Sequence, residues 1–478
     1  MYYSLKTDCY FRRYENIGYI TRPIVAKEEI INESGAIFVE QLTYSPQSLD
    51  DIVGRLSACF SNVSIEVLKQ DVTSFYSDLV DDEFLNCSST LYEFKESGFE
   101  YSTLKSRLTP EQFKYTAEET SSKFLESYFK KHPYLQTFHI ELTSKCNERC
   151  IHCYIPHAEK NSEIEYTLMI NTLHQCKKMG VLTVVFSGGE PLLHPHFCDF
   201  LRYAKDLDFN VTVLSNLTIL NEEILSALTY KHACCVNVSL YSMLPSVHDS
   251  ITTVPGSFEK TKFNILKLIA NNVPVQINCP VMKQNKDSFC EVIKWGQNHK
   301  CSVNPDYLII ARSDRSTDNL NHRLSSGELK SVLSLLAEND IVFQTNIKEK
   351  RVNREDDGDV NGDSKVCGVG MSTLCMVATG EVYPCAGWQG YVCGNLKKET
   401  LQEIWESSPQ VQYLRSLRLK DFEKCNGCDD FDYCLMCMSR NANEDPNGDI
   451  FNIPKITCEA AHIHHEVVEA YRKAHSIN

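Results

Sequence analysis

From Thr137 onward, apolar runs bounded by turn residues alternate with amphipathic stretches, and no other feature restricts the fold as strongly. The runs are TFHIEL (137–142), VLTVVF (181–186), NVTVLS (210–215), CCVNVSLY (234–241), VPVQINCPV (273–281) and DYLIIA (306–311). Between them, stretches such as EIEYTLMINTLHQCKKMG (163–180) and SFEKTKFNILKLIANN (257–272) place apolar residues at helical spacing. Six strand–helix units in series predict an α/β fold over residues 135–340 with a parallel sheet, open or curled into a partial (β/α)6 barrel of the TIM type. Such a sheet puts chemistry at the C-terminal strand ends. Three polar motifs fall there: SKCNERCIHCY (144–154) follows the first strand, SGGE (187–190) ends the second, and Ser215-Asn216 ends the third.

The flanking regions read differently. Residues 1–90 open with two short strand patterns, YYSLKTDCYFRRY and IGYITRP. Three helical ones follow: ESGAIFVEQLT, SLDDIVGRLSACF and SIEVLKQDVTSFYSDLV. This order predicts a small winged-helix module with an exposed sheet edge. Residues 91–134 read as a helical linker, with LTPEQFKYTAEETSSKFLESYFKKH as its clearest helix, and 341–366 as a charged bridging loop. DGDVNGD within that loop opens like a calcium site. Its twelfth position is Gly368, where a bidentate Glu is needed, so it reads as a solvated acidic loop.

A formal charge of −15 argues against broad nucleic-acid binding, and no apolar run is long enough to span a membrane. The opening residues do not form a signal peptide, so the expected location is cytoplasmic. In a reducing compartment, 22 cysteines point to metal rather than to disulfides. Ten are scattered and read as small buried hydrophobes. The rest crowd into 146–153 and 367–458.

Cys146, Cys150 and Cys153 offer three thiolates from one loop, enough to hold three irons of a 4Fe–4S cube and leave the fourth open. A three-cysteine zinc site completed by His152 or His157 is the competing reading. The CxxxCxxC spacing, followed by the aromatic Tyr154, resembles the signature of the radical S-adenosylmethionine (SAM) superfamily. The resemblance implies that SAM chelates the open iron. Ser187, Gly188, Gly189 and Glu190 would then meet its amino group, glycines allowing close approach and Glu190 accepting from the ammonium. Ser215, Asn216 and Ser239 stand where family members contact the ribose and carboxylate.

The second cluster, CGVGMSTLCMVATGEVYPC…CNGCDDFDYCLMC…C, resembles the SPASM domain (367–478), an extension of radical SAM peptide-modifying enzymes. A zinc ribbon usually separates its two CxxC pairs by 15–20 residues, against five here. The resemblance implies two auxiliary 4Fe–4S clusters, hence three in all. The first would take Cys367, Cys385 and Cys437, with Cys375 or Cys393 as a possible fourth ligand. The second would take Cys425, Cys428, Cys434 and Cys458. Only two residues separate Cys434 from Cys437, where the family commonly has three. The module at 1–90 resembles the precursor-recognition element of such maturases, which binds a leader peptide at its sheet edge. Its acidic third helix argues against DNA binding.

Taken together, the resemblance implies a maturase of a ribosomally made, cysteine-rich peptide. One electron from a reductant such as flavodoxin or ferredoxin would cleave SAM, and the resulting 5′-deoxyadenosyl radical would open the way to a thioether from cysteine sulfur to carbon. Carbon–carbon crosslinking, and Cys or Ser oxidation as in sulfatase maturation, are the alternatives. A non-enzymatic zinc or iron–sulfur protein is a third. No catalytic base is evident from the residues.

Overall fold

The computed structural model describes residues 1–25, 27–60, 62–91, 121–156, 158, 161–232, 234–348 and 361–477. In the N-terminal region, β1 (Tyr2–Leu5), β2 (Tyr10–Tyr14), β3 (Ile17–Arg22) and β4 (Lys27–Ile31) precede α1 (Glu33–Val39), β5 (Gln47–Ser48), α2 (Leu49–Leu56), α3 (Ile65–Asp81) and β6 (Leu85–Ser88). The first expected strand is thus two. Asp8 turns inward between them and meets the guanidinium of Arg22 at 2.8 Å, both side chains being buried. Asn32, Ser48 and Ser64 each cap a helix by accepting from a backbone N–H three residues on. The strands form two antiparallel sheets, β5-β1-β6 and β2-β3-β4.

Of the linker, residues 92–120 lie outside the described residues, and with them most of the expected helix. Its end is α4 (Ser121–Lys131), whose Leu125 and Phe129 pack on Tyr14 and Tyr19. The N-terminal module is also bound to the barrel. Arg12 donates to the Asp208 carbonyl at 2.6 Å, Tyr44 donates to the Asp208 carboxylate, and the Tyr10 hydroxyl pairs with His232.

The barrel runs β7 (Thr137–Thr143), α5 (Tyr166–Lys178), β8 (Thr183–Gly188), α6 (Phe197–Asp206), β9 (Asn210–Ser215), α7 (Glu222–Thr229), β10 (Cys235–Ser239), α8 (Pro245–Thr252), α9 (Ser257–Ala270), β11 (Val275–Asn278), α10 (Phe289–Asn298) and β12 (Ser302–Asn304). The six strands are parallel, in the order β12-β11-β10-β9-β8-β7. The sixth lies before DYLIIA, not within it, because Pro305 cannot donate to a ladder. DYLIIA is apolar for another reason. It is buried as irregular chain, and the carbonyls of Leu308, Ile309, Ile310 and Ala311 are satisfied by Arg440, Arg323, Asn319 and Asn443.

After α11 (Ser326–Asn339), residues 341–348 form α12 (Ile341–Lys348) rather than loop, because the Asp340 carboxylate accepts from the amides of Val342 and Phe343. Beyond it come β13 (Thr373–Met376), β14 (Glu381–Tyr383), β15 (Gly394–Asn395), α13 (Leu401–Ser407), α14 (Pro409–Ser416), α15 (Met438–Glu444) and α16 (Lys455–Ala474). Strand β13 pairs parallel with β7 and carries β14 and β15 antiparallel, extending the barrel sheet to nine strands. The cysteine-rich region is thereby built onto the barrel's first strand. No helix among the described residues is long and apolar enough to cross a membrane.

Candidate active site

The SGGE turn and the cysteine loop lie against each other, and glycine makes this possible. A Cβ on Gly189 would stand 2.3 Å from the Lys145 carbonyl oxygen and 2.5 Å from that of Ser144; one on Gly188, whose φ is +136°, would stand 2.0 Å from the Thr143 oxygen. Backbone hydrogen bonds from Gly189 to Thr143 (2.7 Å) and from Glu190 to Lys145 (2.9 Å) close the contact. The glycines therefore serve the chain's own backbone at the point where it enters CxxxCxxC.

Glu190 is fully buried, and burial raises its carboxyl to about 7. One oxygen accepts from Leu192 N (3.1 Å) and Ser215 Oγ (2.7 Å), the other from Asn216 N (2.7 Å). Three of about four acceptor positions are filled, which leaves one for a further donor such as an ammonium N–H. Ser215 also accepts from Leu217 N, so its hydroxyl is committed to holding Glu190. Asn216 Nδ2 reaches Asn147 Oδ1 at 2.9 Å and lies 3.9 Å from Cys146 Sγ.

Cys146, Cys150 and Cys153 remain partly exposed on their loop. Arg149 and Ile151 donate to the carbonyls of Thr252 and Ile251, which anchors the loop to the end of α8. Burial, Glu148, Cys153 and Cys146, in that order, push the Cys150 thiol well above its usual range, so the three sulfurs share one electrostatic neighbourhood. Tyr241 donates to Cys150 Sγ at 3.8 Å, and Ser239 shares a hydrogen bond with the Tyr241 hydroxyl. His157, weighed as a zinc ligand, lies outside the described residues. Ser187 pairs with His139, whose imidazole burial lowers to about 4.

Parallel register places Cys375 level with His139, and Glu141 level with Ser187, on one face of the sheet. Glu141 Oε1 accepts from Tyr154 at 3.0 Å and from Gln389 Nε2 at 3.0 Å. Burial holds this carboxyl at about 7 despite those bonds. Neither Glu141 nor Gln389 was singled out in the sequence, although an acidic residue inside the apolar run TFHIEL was a signal.

Around Cys385, burial pushes the thiol up to about 12, with contributions from Cys437 and then Cys367, which places the three expected cysteines together. Cys375 feels Cys385 as well, whereas Cys393 packs in the barrel core. Cys425 and Cys434 sit in one C-terminal core cluster, and Cys458, in the first turn of α16, is electrostatically coupled to Cys428. Among the described residues, no group of three or more His, Cys, Asp or Glu closes tightly enough to hold a single metal ion. Soft thiols in threes, on a partly exposed loop beside a carboxylate with spare acceptor capacity, suit an iron–sulfur cluster and SAM.

Comparison with known proteins agrees. Residues 140–296 match the Radical SAM superfamily and 367–429 the SPASM iron-sulfur cluster-binding domain. The AdoMet-dependent heme synthase of Methanosarcina barkeri is 26% identical over 63% of this chain and 90% of its own. The antilisterial bacteriocin subtilosin biosynthesis protein AlbA of Bacillus subtilis is 27% identical over 63% of this chain and 67% of its own. The crystal structure of Streptococcus suis SuiB bound to precursor peptide SuiA shares the fold, with a TM-score of 0.61 at 16% identity, over 95% of this chain and 99% of that one. Residues 140–296 thus carry a radical SAM domain and residues 367–429 a SPASM domain, within a fold shared with SuiB along nearly the whole chain.

Proposed function

We propose that this enzyme matures a ribosomally made precursor peptide, joining a cysteine sulfur to a carbon as a thioether. The observation that carries the reading is the pairing of two three-thiol groups, Cys146/Cys150/Cys153 and Cys367/Cys385/Cys437, linked at the barrel mouth through Tyr154, Glu141 and Gln389. A peptide substrate is supported by the likeness to SuiB, whose structure holds its precursor, and to the subtilosin biosynthesis protein. The first group would hold a 4Fe–4S cluster with SAM, and the second an auxiliary cluster open to a substrate thiolate. Cys425, Cys428, Cys434 and Cys458 would hold a third cluster, and residues 1–90 would bind the leader.

When bound, SAM and the cluster held by Cys146, Cys150 and Cys153 would supply reductive SAM cleavage and hydrogen removal from an unactivated carbon, and the auxiliary cluster would take up the electron left over as the deprotonated cysteine sulfur closes on that carbon. The chain's own part is to orient and to exclude water. Glu190 would accept from the ammonium of SAM through its remaining acceptor position, while Ser215 Oγ and Asn216 N hold that carboxylate in place and the burial around it shields the site. Three cubes need about twelve irons per chain, and a zinc protein needs none. The direct test is anaerobic co-expression with a short cysteine-rich open reading frame beside the gene, followed by tandem mass spectrometry. Loss of two hydrogens for each Cys-to-carbon link supports the proposal. Cysteines left free while two carbons are joined overturn the thioether.

A further inference from the structure

Glu141 is the place where the Cys153 and Cys385 loops meet. Its strand, β7, is the barrel's first, and it lies between β8, which leads into the SGGE turn, and β13, whose hairpin partner β14 leads into the Cys385 loop. One carboxylate oxygen accepts two hydrogen bonds, each of 3.0 Å. One donor is Tyr154, the residue after Cys153; the other is Gln389, four residues after Cys385. Gln389 also donates to the Ala386 carbonyl, so its side chain braces the Cys385 loop from within. The outer side of that loop is fixed by Ser439 and Asn443, which donate to the Gly387 carbonyl from the helix that follows Cys437. Tyr154 is held on its other side by its backbone carbonyl, which accepts from Ser313 N. Each loop thus has anchors of its own, and Glu141 Oε1 is the acceptor common to both. Glu141 is 3% exposed, so water competes poorly for these bonds, and leaving both donors unpaired would be costly.

We propose that Glu141 is a positioning residue that clamps the Cys153 loop to the Cys385 loop and so fixes the separation between the site of SAM cleavage and the first auxiliary centre. The proposal rests on the cluster assignment above and deepens it. The clamp depends on an oxygen that accepts twice. A protonated carboxyl keeps that oxygen, and so does an amide, so the hold does not depend on charge. Carboxyl burial, which brings the group's pKa to about 7, fits a site built for acceptance rather than for a permanent ion.

The test compares Glu141→Gln, Glu141→Ala, Tyr154→Phe and Gln389→Ala in the full chain, anaerobically reconstituted with iron and sulfide. Two readouts are taken: hydrogen exchange at residues 150–156 and 386–391, and the magnetic interaction between the reduced clusters in electron paramagnetic resonance spectra. Glu141→Gln is expected to match wild type in both. Glu141→Ala should raise exchange in both loops together, by about tenfold or more, and weaken the magnetic interaction. Tyr154→Phe and Gln389→Ala should each release only their own loop. The clamp is overturned if Glu141→Ala leaves either loop or the spectrum unchanged, or if Glu141→Gln behaves like Glu141→Ala. Wild-type protein that fails to bind about twelve irons would instead sink the cluster assignment, an outcome separate from the clamp.

Discussion

Replacing Gly189 by alanine tests how the SAM-binding end of the barrel is put together. The added Cβ would lie 2.3 Å from one backbone oxygen and 2.5 Å from another, where ordinary contact needs about 3.5 Å. Both obstacles are backbone, so no side chain can swing aside. The SGGE turn must withdraw from the cysteine loop by about 1 Å. The hydrogen bonds from Gly189 to Thr143 and from Glu190 to Lys145, now 2.7 and 2.9 Å, then stretch beyond useful length. At about 1 kcal/mol each, their loss costs about 2 kcal/mol, and the same movement displaces Glu190 from its three donors. SAM should therefore bind about thirtyfold more weakly, measured by equilibrium dialysis on reconstituted protein. Gly327→Ala is the matched control. It lies in the helix α11 with nothing within 4 Å of an added Cβ, and should stabilise the fold by about 0.5–1 kcal/mol without touching SAM affinity. Equal SAM affinity in Gly189→Ala and wild type, at equal iron content, would refute this reasoning.

Two further perturbations address other parts of the molecule. The Glu190 carboxyl is raised by burial from 4.5 to about 7, so its contribution to stability is present below pH 4.5 and is lost as pH rises through about 7. The loss is about 3 kcal/mol for this group, and urea midpoints of the metal-free protein should fall across that window in wild type and fall less in Glu190→Gln. The Asp208 carboxylate helps hold the N-terminal module to the barrel, meeting Arg12 at 3.4 Å and accepting from Tyr44, with Lys177 3.5 Å away. Asp208→Ala should speed tryptic release of residues 1–90 while leaving the barrel resistant; unchanged digestion would show that the aromatic contacts of α4 suffice.

The parallel barrel was legible because its strands are buried on one face and half-buried on the other, so that they read as apolar runs. DYLIIA misled for the same reason: burial alone makes a segment apolar, and whether it joins the ladder depends on where its carbonyls find donors. Pro305, directly after Asn304, was the available sign that the strand ended earlier. Cys146, Cys150 and Cys153 share one loop by their spacing, and Cys437 and Cys367 both act on the Cys385 thiol although 70 residues separate the outer two. Glu141, an acidic residue inside the apolar run TFHIEL, was a sign of a buried polar role but not of its partners. Its role arises from Tyr154 and Gln389, the second of them 248 residues away, and no local pattern in the chain encodes that meeting.

The assignment of SAM cleavage to Cys146, Cys150 and Cys153 is tested most directly by the yield of 5′-deoxyadenosine from SAM in dithionite-reduced, reconstituted protein. Wild type and Cys393→Ala, whose sulfur packs in the core, should form it. Cys153→Ala should form none. Continued SAM cleavage by Cys153→Ala at the wild-type rate would contradict the account.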